Sequence, residues 1–328
     1  MRVLVLHSDI SDHAPPDELD TLVQARWVAD LLASRGHSVT TGPFRPDQFY
    51  MKELLGSTRP DCIFNLVETV NGSGKYSYLA AQFCEQEGIP YTGSSARTIF
   101  ITSNKCETKT LLASKGLPVP RTLWPSERAD SSDGARKAII KPLWEDGSVG
   151  LTSSSVINLA DLDWSDPGKA VNGRFSEGEL FVEEYVEGRE FKVSLISLRG
   201  CVKVLPVAEI LFRDFGKEEP KILDYEAKWC PESPSYKRNI REFGVEQREP
   251  VLAERLTDLS LLCWQILKLR GYARIDFRVD KRGQPWIIEV NANPCLSPDA
   301  GFMAALGEAG IDPEDAVESI LVDSMMRR

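Results

Sequence analysis

The chain has 328 residues, 42% of them hydrophobic and 27% charged, the makeup of a folded protein with core enough for two or three domains and not of a disordered one. A formal net charge of -10 with no offsetting basic block argues against nucleic acid as a partner. No apolar run approaches the roughly 20 residues of a membrane span, and no charged-then-apolar leader precedes the first strand, so a membrane partner is not expected either.

MRVLVLHSD reads as a buried first strand, and Asp17-Glu18 open a helix with Leu19, Leu22, Val23, Trp27, Leu31 and Leu32 at helical spacing, closed by Gly36. HSVTTG is a second strand, residues 46–56 a short helix, CIFNLVE a third strand, YSYLAAQFCEQEG a helix and IPYTGSS a fourth strand with its turn. Strand–helix alternation of this kind predicts a small parallel α/β domain over residues 1–100. Within it Gly72-Ser73-Gly74-Lys75 imitates a phosphate-binding loop, but Thr69 stands where a glycine belongs and Tyr76 where Ser or Thr is needed. A substrate-contacting loop at the carboxyl end of a strand is the better reading.

Residues 101–185 read as a second domain. SNKCETKTLLASKG is one helix, capped by Ser103 and ended by Gly116, with Lys105 and Lys109 on one face. AIIKPLW is a strand whose Lys141 interrupts an apolar run and needs an anionic partner, because an unpaired buried ammonium is costly. EDGSVGLTSSS after it is a small-residue loop whose backbone N–H groups suit phosphate. Residues 186–328 form a third domain: strands KVSLISL and VKVLPVAEILF, an apolar helix over 250–270, and a closing helix over 313–326. Seven scattered cysteines without CxxC spacing and three histidines, all before residue 40, leave no zinc site and fit a reduced cytoplasm.

The most informative stretch is Tyr272–Pro298, YARIDFRVDKRGQPWIIEVNANPCLSP, a hairpin around Asp280–Gln284. Alternation puts Trp286, Ile288 and Val290 on one face and Ile287, Glu289 and Asn291 on the other. A register pairing Asp280 with Pro285 sets Asp276 across from Glu289 and Arg274 across from Asn291, with facing Cβ atoms about 5 Å apart. Two facing carboxylates repel unless a cation separates them, and carboxylate and amide oxygens are hard ligands that suit Mg²⁺.

IDFRVD and WIIEVNANP resemble the metal-binding hairpin of the ATP-grasp superfamily, and the whole chain resembles the D-alanine–D-alanine ligases. The resemblance implies a three-domain α/β ATP-grasp fold and an activity in which ATP drives amide formation through an acyl-phosphate. It also implies Asp276, Glu289 and Asn291 as ligands of one or two Mg²⁺ (or Mn²⁺), and Arg274 as the group that stabilises the tetrahedral oxyanion. Lys105, Lys141 and Lys228 (the last in DYEAKW) are implied at the phosphates of ATP, with Ser148 as a loop hydroxyl beside them. Glu183 would face the adenine amino group, the backbone of Glu184, Tyr185 and Val186 the ring edge, and Glu190 the ribose.

The substrate positions depart from that family. Its N-terminal glutamate has no counterpart, Gly147 stands for the loop serine and Trp229 for the tyrosine of the same triad. Beyond the hairpin come Cys295-Leu296-Ser297-Pro298, and the serine for the second substrate aligns near Ala300. Glu68 and Ser297 are further candidates for substrate contact, and Cys295 is read as packing since no histidine is near it in sequence to activate it. The expectation is an ATP-grasp ligase of small carboxylate and amine substrates other than two D-alanines, a homodimer by analogy. An ATP-dependent cyclase, a phosphotransferase, or a silent nucleotide-binding protein on the same fold are the alternatives.

Overall fold

The protein is described by a computed structural model covering residues 1–326 apart from 12, 125–135, 172–174, 176, 177 and 217. The chain opens β1 (Arg2–Ser8), α1 (Pro16–Ser34), β2 (Ser38–Phe44), α2 (Gln48–Thr58), β3 (Cys62–Leu66), α3 (Tyr78–Glu87). β1 pairs in parallel with both β2 and β3. Its central strand is buried on both faces, which is why RVLVLHS is a continuous apolar run instead of an alternating one. IPYTGSS adds no fourth strand: Tyr91 makes a single bridge to Ile63. Pro90 has no N–H to donate, and Gly93 turns the chain away at φ +85°.

The helix expected over residues 103–116 is α5 (Lys105–Ser114), and a further helix that the sequence reading did not include, α4 (Ala96–Ser103), runs directly into it. Asn104 between them is extended, and its side chain accepts from Glu107 N–H, so Asn104 and not Ser103 is the cap. β4 (Thr122–Leu123), β5 (Lys137–Pro142), β6 (Val156–Asn158) and β7 (Leu180–Glu184) make a four-stranded sheet in the order β4-β7-β5-β6.

β8 (Gly188–Leu198) begins the largest sheet. Pro206 splits VKVLPVAEILF into β9 (Cys201–Val204) and β10 (Ala208–Phe212) because it cannot donate to a ladder. There follow α6 (Tyr225–Trp229), α7 (Pro234–Arg238), β11 (Asn239–Glu242), α8 (Val245–Arg248) and α9 (Pro250–Leu267). The hairpin is β12 (Tyr272–Asp280) and β13 (Pro285–Asn291), and α10 (Gly301–Glu308) and α11 (Pro313–Met325) close the chain. The strand order is β11-β10-β8-β12-β13, with β9 also on β8.

The cores cross these segments. Val3, Val5, Phe64 and Leu66 of the first sheet pack with Phe302, Leu306, Ile320 and Leu321 of the last two helices. Leu112 of α5 packs with Phe191, Leu256, Phe277 and Ile287, so α5 lies on the large sheet. α1 is buried through Thr21, Gln24, Ala25, Val28, Leu31 and Leu32, whereas Leu19, Leu22 and Val23 of the expected apolar face are exposed.

The hairpin register is as expected at one end only. Asp276 pairs with Glu289 and Arg274 with Asn291, but Val279 and not Asp280 pairs with Pro285. A bulge between Asp276 and Phe277 absorbs the difference, leaving Ile288 without a partner. Ile287 and Val290 therefore both enter the core, while Ile288 leaves the face it was expected to share with Val290 and joins Glu289 on the wall of a cleft.

Candidate active site

β8 and β12 carry a charged face opposite their core face. Phe191, Val193 and Leu195 point into the core, so the alternate residues Glu190, Lys192 and Ser194 point away from it. Across the ladder Glu190 meets Arg278, Lys192 meets Asp276, and Ser194 meets Arg274. Asp276, 3% exposed, accepts from Arg274 Nε at 2.6 Å and Nη2 at 3.1 Å and from Lys192 Nζ at 3.2 Å. Burial opposes its ionisation, but Arg274 and Lys192 outweigh burial and hold its carboxyl below the ordinary range. Glu289 is likewise held well below that range, burial being overcome by Lys105 and Lys228. Asn291 Oδ1 accepts from Asn293 N–H at 2.9 Å, which fixes the amide at the end of the strand.

Lys105, 7% exposed, reaches Glu145 O at 2.6 Å, Asp146 Oδ1 at 3.0 Å and Glu289 Oε1 at 3.3 Å. It thereby ties the small-residue loop to the hairpin. Burial and the neighbouring Glu289 push the Asp146 carboxyl up to about 7, against the pull of Lys105. Glu183, 1% exposed, lies between Lys109 and Lys141, the latter at 2.7 Å. Those two ammoniums outweigh burial and keep it ionised. Lys141 thus has its anionic partner. Lys228 has its ammonium pushed down to about 8 by burial, with Lys192 adding to the push.

Two cavities meet at these side chains. The smaller, about 80 Å³, is lined by Ile139, Val149, Leu151, Ile222, Leu223 and Ile288 together with the charged groups Lys105, Lys141, Glu183, Glu190, Lys228 and Arg278. Glu184 and Tyr185 spend their N–H groups on Arg121 O and Lys137 O. Val186 N–H has no acceptor among the described residues. That volume is below the roughly 300–1,000 Å³ of a ligand pocket, so admitting a nucleotide means parting the two sheets that wall it. Ser148 lines the same cleft, but its hydroxyl donates to Leu223 O at 2.6 Å.

The larger cavity, about 1190 Å³, opens beside Arg274, Lys228 and Asn291. Glu68 is on its first-sheet wall, accepting from Gln24 Nε2 at 2.7 Å. Burial pushes its carboxyl up to about 7, the Gln24 hydrogen bond holding it back. Gly147 and Trp229 are brought together on the opposite wall, Trp229 Nε1 donating to Gly147 O at 2.8 Å. The glycine loop at 72–75 also reaches this cavity and is clipped to the loop across it. Gly74 N–H points at the Glu145 carboxylate at 3.2 Å, and a Cβ on Gly74 would sit 2.4 Å from Trp144 O. Ser297 lies behind the wall, its Oγ donating to Asp20 at 2.9 Å, and the Cys295 thiol, pushed up by burial, donates to Asp20 at 3.0 Å. A protonated, hydrogen-bonded thiol is packing and not a nucleophile.

Several residues at the site were not singled out from the sequence. Lys192 was signalled only by Glu190-x-Lys192, two charges on one face of an otherwise apolar strand. Asp146 adjoins Gly147 in the loop, and nothing local marks it. Gln24 is not among the apolar positions read on α1, yet it is 1% exposed and joins Glu68 to Leu296 N–H.

Comparison with known proteins gives the same assignment. The family described as "D-ala D-ala ligase C-terminus" matches residues 137–322, more than half of the chain. The chain belongs to the D-alanine–D-alanine ligase family. It is 28% identical over 333 residues to a D-alanine--D-alanine ligase of Coprothermobacter proteolyticus, covering 99% of this chain and 100% of the relative. It is 32% identical over 260 residues to the uncharacterized protein y4sG of Sinorhizobium fredii, covering 79% and 73% respectively. Its fold matches a crystal structure of the Bacillus anthracis D-alanine--D-alanine ligase complexed with ATP, at TM-score 0.71 and 20% identity over 99% of this chain and 98% of that one. The fold is therefore ATP-grasp, and at the level of the family the activity is ATP-dependent carboxylate–amine ligation. No helix among the described residues is long and apolar enough to cross a membrane.

Proposed function

We propose that this member joins two amino-acid-like substrates other than a pair of D-alanines, through an acyl-phosphate formed at the expense of ATP. The observation that carries the reading is Arg274: it lines the large cavity and is bound through two nitrogens to Asp276, which lines the small cleft. Adenine suits the apolar slot of Ile139, Leu151 and Ile222, with Val186 N–H as its ring donor and Glu190 within reach of the ribose. Lys105, Lys141 and Lys228 are the phosphate cations.

Asp276, Glu289 and Asn291 fit Mg²⁺, since two ionised carboxylates and an amide oxygen converge on one strand pair. The metal would neutralise charge on the phosphates there. The donor carboxylate attacks the γ-phosphorus, the bond to the bridging oxygen breaks, and ADP leaves. Lys228 counters the charge that develops on the moving phosphoryl group. An amine then attacks the acyl carbon, the C–O bond to phosphate breaks with its electron pair leaving on phosphate, and the nitrogen passes its proton to solvent to give the amide. Arg274 steadies the oxyanion between those two events.

Substrate choice rests on the large cavity. Trp229 and Gly147 close by an indole–carbonyl hydrogen bond where a hydroxyl pair would orient a small amino acid, and Glu68 offers a carboxylate for the donor ammonium. Mg²⁺-dependent phosphate release from ATP over single and paired D- and L-amino acids, with mass spectrometry of each positive mixture, tests this. A product equal to two amino acids less one water supports it. Release confined to the D-alanine pair overturns the substrate assignment, and a ring-closed product or a stable phosphate ester overturns the ligase assignment.

A further inference from the structure

The far wall of the large cavity, beyond Arg274, is built from Tyr236, Asn239, Arg241, Asp299 and Gly301. Arg241 is anomalous among the arginines of this sheet. Arg189 holds Glu209 and Glu249, Arg274 holds Asp276, and Arg278 holds the Gly188 carbonyl. Arg241 has no hydrogen bond or ion pair with any described residue, and Asp299 acts on it through charge alone. Its guanidinium lies against Gly301, where an added Cβ would meet Nη2 at 3.6 Å. It sits on edge strand β11, with Ile210 of β10 opposite, so the sheet on one side and the cavity on the other fix where it points.

Exposed to the cavity, the Arg241 donors are spent on no protein acceptor among the described residues, so the guanidinium is free to grip an anion through charge-assisted hydrogen bonds. Two arginines side by side repel, and burial and the charge of Arg274 already press the Arg241 guanidinium below its ordinary value. The distribution of charge over the cavity gives the anion its direction. Arg274 is the charge neighbour common to Glu68 on one wall and Arg241 on the other. A donor whose carboxyl carbon sits at Arg274 and whose ammonium sits at Glu68 fills the first side. The attacking amine must come from the other.

We propose that Arg241 binds the carboxylate of the acceptor, so that the second substrate is an amino acid or peptide with a free carboxyl group and not a simple amine, a polyamine or an amidated residue. This rests on the ligase reading given above. It makes Arg241 a specificity-determining residue: it grips the end of the acceptor remote from the nucleophilic nitrogen and sets that nitrogen's distance from the acyl carbon.

The test uses binding, so that it does not depend on turnover. D- and L-amino acids, each with its matching carboxamide, are titrated calorimetrically into wild type, R241A and R241K in the presence of Mg²⁺ and the non-hydrolysable analogue AMP-PNP. A charge-assisted hydrogen bond lost on amidation corresponds to roughly 10- to 100-fold in affinity. At least one amino acid should show that preference over its amide in wild type, lose it in R241A and regain part of it in R241K. Ligands gripped at Lys228 and Arg274 keep their preference in all three proteins. The proposal is overturned if no acid is preferred over its amide, or if every preference survives in R241A. Mass spectrometry of wild-type reactions decides the ligase reading separately. A preference erased by R241A with no condensation product would leave the subsite standing and remove the reaction assigned to it. Arg241 is exposed and unpaired, so unchanged melting temperatures verify that both variants are folded.

Discussion

The two cavities handle charge in opposite ways. In the smaller cleft three carboxylates each stand against two cations: Asp276 against Arg274 and Lys192, Glu183 against Lys109 and Lys141, Glu289 against Lys105 and Lys228. In the larger cavity the Glu68 carboxyl has only an amide for a hydrogen-bond partner and the Arg241 guanidinium has none among the described residues. Paired charges cost less to bury than unpaired ones and can exchange partners when an anion or a metal arrives, so the cleft is organised before its ligand binds. Unpaired charges are held ready for groups that the protein does not supply. The first arrangement suits a nucleotide common to a whole family, the second a substrate particular to one member.

Substitutions that break the paired set should therefore cost most. Asp276→Asn keeps the shape and one acceptor for Arg274 but removes the charge that Arg274 and Lys192 neutralise. Phosphate release should fall by roughly 10³-fold while the melting temperature moves by no more than about 5 °C. Retained turnover would remove the metal assignment. Lys228→Met replaces a buried ammonium, already pushed down to about 8, with a chain of similar length, so folding is spared. A roughly 10²-fold loss in kcat is expected, measured at saturating ATP. An effect confined to KM for ATP would make Lys228 a binding group only.

The same contrast explains how much could be read from the sequence. Asp276, Glu289, Arg274 and Asn291 were legible because period-two alternation and one short turn place them, and both are local. The error of one residue at Val279 and Pro285 was not legible, since nothing in WIIEVN marks Ile288 as the bulge. The bulge lets Ile287 and Val290 both reach the core while Glu289 stays at the site. The strand–helix order of the first 90 residues was legible from periodicity, but α4 was not, and the cap of α5 lies one residue beyond Ser103, at Asn104, whose side chain accepts from Glu107 N–H. Arg241 and Gln24 were illegible for a different reason. Their importance comes from elements some tens to hundreds of residues away, and an exposed arginine and an amide in a helix carry no local mark.

Glu68→Gln sharpens the comparison from the substrate side, with an intermediate effect. Burial raises the Glu68 carboxyl to about 7, so between the ordinary carboxylate range and about 7 the folded protein holds a proton that the unfolded chain has released. Stability from this group is therefore full at low pH and lost as pH rises through about 7. The glutamine variant should gain in melting temperature relative to wild type above pH 7 and match it near pH 4. Binding of a donor ammonium runs the other way, since it needs the ionised form. Wild-type kcat/KM for the donor should rise through pH 7 and flatten above it. The variant should lack that limb and show about tenfold higher KM at pH 8. A limb that persists in the variant would assign the titration to another group.

The smallest effect is expected at Gly147, in the loop whose Glu145 and Val149 line both cavities. Gly147 and Ser148 are both left-handed, at φ +69° and +66°. Serine accepts that strain because its hydroxyl reaches Leu223 O, and the loop is further held by Lys105 on Glu145 O and by Trp229 on Gly147 O. A Cβ on Gly147 would meet the Trp229 ring at 3.6 Å, an ordinary contact, so Gly147→Ala introduces no collision. Its cost is the backbone alone, about 1 kcal/mol, or a fall of roughly 2–4 °C in melting temperature. Because the loop has three tethers, that strain should appear in both cavities at once, as a few-fold rise in KM for ATP and for the amino-acid substrates alike. A rise for one and not the other would mean that the loop serves only that cavity, and that the indole–carbonyl bond does not couple the paired region to the unpaired one.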